Sequence, residues 1–155
     1  MNLAEIANTY ETAPEYRGGL WRVAGAYFRA RADVLRSRFT IAETTEPEPY
    51  GTAAEQAADL RRGLFLVTSA YSEHPVWNVE TNVAFRICHD IDGHGKVGRA
   101  FDPDGEVEAY RATLEHLPTP LRPVVFCESI GQLAATIANG RFPTQRTVLF
   151  PTVHV

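Results

Sequence analysis

The chain has 155 residues, is 45% apolar and 22% charged, and carries a formal net charge of −4. That apolar content excludes a disordered chain, no apolar run is long enough to span a bilayer, and the length supports one hydrophobic core, so a single domain over residues 1–155 is expected. The mild acidity argues against a general nucleic-acid binder, which needs a basic footprint. Glu5, Glu11 and Glu15 in the first twenty residues do not fit a secretory signal, and two cysteines, Cys88 and Cys127, are too few for a disulfide scaffold. A cytoplasmic setting is expected.

Trp21, Gly25, Phe28, Ala32, Leu35 and Phe39 recur at spacings of four and three, which predicts a long helix over Leu20–Phe39. Arg22, Arg29 and Arg36 form a separate row on it, read as a solvated face or as a site for an acidic partner. Pro47 and Pro49 make Glu43–Gly51 a loop. Thr52 with Glu55 is a capping box opening a helix that ends at Gly63, and Leu64–Thr68 is the best strand candidate. Asn78 caps a helix through Val79, Val83, Ile87 and Ile91, with Gly93 and Gly95 marking its end. Asp102–Gly105 reads as a turn before a helix over Glu106–Leu117. A further helix spans Val124–Asn139, stopped by Gly140, and Thr147–Phe150 is a second strand candidate. The expected class is a mainly α, single compact helical domain with one or two short strands.

Between Pro123 and Gly140 the only formal charge is Glu128. Ile130, Leu133, Ala134 and Ile137 make one packed face, and the opposite side is small or neutral, so this helix is expected to be buried nearly all round. A carboxylate there needs a partner. Arg86 and Arg111 are candidates, and a metal ion is the alternative.

Such an ion would find ligands in Arg86–Gly98, where His89 and His94 bracket Asp90 and Gly93. Imidazole suits iron, zinc and copper, and a neighbouring carboxylate can orient a ligating ring. On a straight α-helix residues five apart diverge by roughly 140°, so the two rings converge only if the helix bends or ends between them. An EF-hand register from Asp90 fails at its twelfth position, Phe101, and neither cysteine belongs to a thiolate zinc pair. A phosphohydrolase of the His-Asp type would use His89 and Asp90 with His74 upstream and Asp102 or Asp104 downstream. Glu106 and His116 share the next helix and are read as pocket residues, or as an acid in a first turn and a cap at the far end.

His89-Asp90-Ile91-Asp92-Gly93-His94 resembles the iron motif of the pterin-dependent aromatic amino acid hydroxylases, in which a later glutamate completes a two-histidine, one-carboxylate triad. Glu128, followed by Ser-Ile-Gly131, stands in the similar place. Phe85-Arg86-Ile87-Cys88-His89-Asp90, Gly93-His94, Gly105-Glu106 with Ala109, His116, and Glu128 with Gly131-Gln132 are also similar to a domain met in phage-encoded proteins. That similarity covers about residues 74–151 and would imply a host cytoplasm. Asp92 stands where both families usually carry an apolar or aromatic residue, and Ile130 replaces an arginine frequent in the phage family.

These resemblances imply a divalent metal, iron(II) first with zinc or manganese as alternatives, held by His89, His94 and Glu128. Asp90 would act beside the ligands, and Glu106 and His116 would line the pocket. The expectation is a mononuclear non-haem iron, oxygenase-like enzyme acting on a small molecule, with no nucleic-acid or membrane partner and with homo-oligomerisation open. The alternatives are the phosphohydrolase and a non-enzymatic binding module whose arginine face meets an acidic partner.

Overall fold

The computed structural model describes residues 2–98 and 101–151. Its order is α1 (Leu3–Thr12), α2 (Leu20–Arg36), β1 (Thr40–Thr44), α3 (Ala53–Arg61), β2 (Leu64–Thr68), α4 (Val79–Cys88), α5 (Gly95–Val97), α6 (Pro103–Leu114), α7 (Arg122–Phe126) and α8 (Gln132–Asn139). A π-helical turn, His89–His94, joins α4 to α5, and another, Cys127–Gly131, joins α7 to α8. The protein is mainly α, as its periodicity predicts, with two short parallel strands. Among the described residues no helix is long and apolar enough to cross a membrane.

Helix α2 buries the predicted stripe: Trp21, Ala24, Phe28, Ala32 and Leu35 are each at most 2% exposed. It lies against α4, and Gly25 is what permits the approach. A Cβ there would sit 2.8 Å from Thr81 Cγ2 and 2.9 Å from the Trp77 indole nitrogen. Arg22, Arg29 and Arg36 are exposed, and Arg29 reaches back to donate to Thr81 Oγ1 of α4 at 2.7 Å. Arg31 turns the other way and grips Asp92 with two hydrogen bonds of 2.8 and 2.7 Å, tying α2 to the first π-helical turn. That pairing accounts for an acid at a position where the resembled families carry an apolar residue.

Strand β2 has the predicted bounds and alternates exposed and buried, with Phe65 and Val67 inward. Its partner is β1, in the register Thr40↔Leu64 to Thr44↔Thr68. Its sequence, TIAET, offers no alternating apolar face: only Ile41 and Thr44 are even half-buried. The expected loop over Glu43–Gly51 therefore starts later. Thr147–Phe150 is not a strand. Its polar groups bond singly, Tyr16 N–H to the Thr147 carbonyl at 2.7 Å and Val148 N–H to Cys127 Sγ at 3.4 Å, so no ladder forms. Helix α1, capped by Asn2 Oδ1 and burying Ile6, Ala7 and Tyr10, adds an element that the periodicity of the later helices did not announce.

Gly93 and Gly95 do not end the helix that starts at Asn78. It continues to Val97 and stops at Gly98, whose φ of +63° is the left-handed stop. The earlier glycines serve close approach instead. A Cβ on Gly93 would lie 2.8 Å from the Ala109 carbonyl oxygen and 2.9 Å from Thr113 Oγ1, so the π-helical turn rests directly on the backbone of α6. An alanine would gain about 1 kcal/mol of helix propensity, but a fixed carbonyl cannot yield as a flexible side chain would. Gly93→Ala is expected to lower stability by about 1–3 kcal/mol in urea unfolding. Unchanged or raised stability would contradict the close packing.

Candidate metal centre

The π-helical turn resolves the 140° divergence. Gly95 N–H donates to the Asp90 carbonyl, a five-residue span, and this wider turn brings His89 and His94 onto one face. Their ring centroids are 5.1 Å apart and nearly perpendicular. Helix α6 supplies the carboxylate. Asp102 caps it by accepting from Gly105 N–H at 2.8 Å, Pro103 opens it, and Glu106 falls in its first turn. The expected helix from Glu106 thus begins a turn earlier.

Glu106 bridges the two imidazoles. Its Oε2 lies 3.4 Å from His89 Nε2 and its Oε1 3.1 Å from His94 Nε2. The ligand atoms of His89, His94 and Glu106 all fall within 4.8 Å of one another, a group able to hold a metal ion. Donors about 2.1 Å from one ion are separated by about 3.0 Å at octahedral angles and 3.4 Å at tetrahedral ones, so both His–Glu spacings fit a shared ion. The side chains are 12%, 3% and 25% exposed. Both Nδ1 atoms are buried without a hydrogen-bond partner. Aromatic packing holds the rings instead: Phe85 stacks on His89 at 5.9 Å, and Phe101 meets His94 edge-on at 5.2 Å.

The charges reinforce one another. Burial pushes the Glu106 carboxyl up, but hydrogen bonds and charge from His89 and His94 outweigh it and hold the group well below the usual carboxylate range. For His89, burial pulls the imidazole down and the contact with Glu106 more than restores it, leaving it raised. Asp90 is pushed up, chiefly by burial and against the pull of His89 and His94. It lies beside the cluster, and no hydrogen bond among the described residues joins its carboxylate to either ring.

Glu128 is as buried as its surroundings demand, with a side chain 1% exposed, but its oxygens are occupied. Trp21 Nε1 donates to Oε1 at 2.6 Å, His74 Nε2 approaches the same oxygen at 3.1 Å, and Gln132 Nε2 donates to Oε2 at 2.6 Å. The expected third ligand thus stands outside the cluster of three, and Glu106, expected only to line the pocket, stands inside it. Neither arginine candidate reaches Glu128. Arg86 donates to the carbonyls of Thr68, Ala70 and Tyr71, and Arg111 is exposed.

His74, the extra histidine of the phosphohydrolase reading, is committed elsewhere. Its Nδ1 accepts from the backbone N–H groups of Val76 and Trp77 at 3.1 and 2.9 Å, so its proton sits on Nε2, toward Glu128. Asp102 caps α6, and Asp104 is exposed. His116 is exposed beyond the far end of α6, outside the cavity lining; its carbonyl accepts from Tyr27 Oη at 2.6 Å and its N–H donates to the Thr113 carbonyl at 3.4 Å. Both thiols are buried and pushed up by that burial, which suits packing rather than ligation.

Trp21, His74 and Gln132 were not singled out as Glu128 partners by the sequence. Gln132, four residues further along the same helix, carried the one usable signal; Trp21 lies 107 positions away and carried none. A cavity of about 360 Å³ joins the two sets, with His89, Asp102, Glu106, Glu128 and Gln132 among its polar lining residues. No family model, curated protein or solved structure matches the chain.

Glu106 contributes stability above the ordinary carboxylate range that is lost as pH falls through its depressed value. His89 contributes stability that is full below about pH 6.5 and is lost as pH rises through its raised value. The metal-free chain is therefore expected to resist urea best between about pH 5 and 6.5 and to weaken toward pH 8, with Glu106→Gln flattening that limb. Resistance that climbs steadily to pH 8 in the wild type would contradict the pairing. Metal competes with the same proton, so apparent metal affinity is expected to rise over that interval.

Proposed function

We propose that this protein is a mononuclear non-haem iron enzyme of the oxygenase type, acting on a small molecule held in the cavity beside His89 and Glu106. The observation that carries this reading is the convergence of two imidazoles and one carboxylate within 4.8 Å at the edge of a 360 Å³ chamber. Two histidines and a carboxylate occupy one face of an iron(II) ion and leave other positions open. A bound iron would supply redox chemistry with dioxygen at those positions.

The chain's own residues do the rest. His89 and His94 offer their Nε2 atoms toward Glu106, and burial keeps bulk water from His94. Glu106 would neutralise part of a bound ion's charge, and Arg31 and Gly93 hold the π-helical turn that presents both rings. Asp90 sits close enough for its charge to raise the His89 imidazole. The donor set also admits zinc and manganese, as any mixed nitrogen–oxygen site does, so metal identity is a question for reconstitution.

Elemental analysis after loading with iron(II), and dialysis, tests this. The wild type is expected to retain about one ion per chain, and His94→Ala and Glu106→Gln to weaken retention at least about a hundredfold. Glu128→Gln is expected to keep its ion. Full retention in both of the first two variants would overturn the reading. Nitric oxide binding to the iron-loaded wild type would report an open position.

A further inference from the structure

The same cavity has an unbalanced electrostatic lining. Three neutral N–H donors hold the Glu128 carboxylate: the Trp21 indole, the Gln132 amide, and a His74 ring whose other nitrogen accepts two backbone N–H groups. None of them brings a positive charge. No arginine or lysine lies within ion-pair distance of Glu128 among the described residues, and none lines the cavity among them. A carboxylate has about four acceptor positions, and three are filled. One remains on a buried anion that faces the chamber.

Apolar side chains share this lining. Phe101, Leu133, Ile137 and Phe142 belong to it, and Phe101, Ile137 and Phe142 are each 43–48% exposed. Tyr71 stacks on Phe142 at 5.9 Å and is held at a φ of +51°, the only positive φ among the described non-glycine residues. Its carbonyl accepts from Arg86 and Gln145. A buried carboxylate with no arginine or lysine beside it, in a lining that is otherwise largely apolar, defines a ligand of complementary polarity.

We infer that the cavity binds a small protonated amine carried on an apolar or aromatic body, its ammonium group against Glu128 and its body among Phe101, Leu133, Ile137 and Phe142. This rests on the metal reading in one respect only, that the chamber beside His89 and Glu106 is where substrate sits. An anionic ligand would meet Glu128, which no arginine or lysine among the described residues offsets.

Three isosteric probes test it: phenethylammonium, 2-phenylethanol and phenylacetate, titrated into the protein with iron loaded and with iron removed. The Trp21 indole N–H resonance reports on the site, because that group donates to Glu128. Phenethylammonium is expected to bind about tenfold or more tighter than the alcohol, with phenylacetate weakest. Glu128→Gln is expected to bring ammonium and alcohol within about threefold of each other. Should that variant fold poorly, Ile137→Lys at the exposed rim is expected to cut ammonium binding and improve phenylacetate binding. No binding of any probe, a preference for the anion, or an ammonium preference that survives Glu128→Gln would overturn the inference. Ammonium preference in a chain that retains no metal would sink the metal reading and leave this one standing.

Discussion

Backbone touches backbone where Gly93 meets Ala109, and the candidate centre depends on that contact. The π-helical turn can reach α6 only because residue 93 has no side chain, with 2.8 Å between the missing Cβ and a carbonyl oxygen. At that distance the first turn of α6 presents Glu106 to the nitrogens of two rings five residues apart. Widen the gap and the carboxylate withdraws from both imidazoles at once. Restore the regular helical pitch and the imidazoles diverge. Two local departures from regularity, a widened turn and an absent Cβ, thus act together, and Arg31 secures the arrangement by holding Asp92 inside the same turn.

Much of this was legible from residue order. The stripe through Trp21, Phe28 and Leu35, the Asn78 and Thr52 caps, the Leu64–Thr68 strand and the Gly140 stop all follow from spacing and capping chemistry. What failed did so for physical reasons. TIAET buries almost nothing, so no alternation betrayed β1. Gly93 and Gly95 carry the same residue type as a helix stop, and only the neighbouring helix reveals that they make room. A fixed period of 3.6 residues cannot announce a five-residue hydrogen bond. For Glu128, the burial was foreseeable from its apolar neighbourhood, but its partners were not, because Trp21 and His74 arrive from other elements.

Two carboxylates of the chamber, Glu106 and Glu128, illustrate opposite solutions to one problem. Glu106 shares its negative charge with imidazoles that can gain a proton or accept an ion, so its environment is adjustable. Glu128 is surrounded by donors whose own protons are fixed, by indole and amide chemistry and by backbone groups that occupy the far side of His74. The first can exchange its partners. The second is a permanent feature of the wall. Each sits on or beside a widened turn, one in α6 against His89–His94 and one within Cys127–Gly131, which matches the tendency of such turns to gather at functional positions.

The rings of His89 and His94 carry no outward hydrogen bond, and stacking against Phe85 and Phe101 orients them. Aromatic faces fix a plane but donate nothing to the ring's electronics, whereas a carboxylate or carbonyl behind a ligating imidazole strengthens its grip on an ion. An ion held here would be gripped by rings that lack such support.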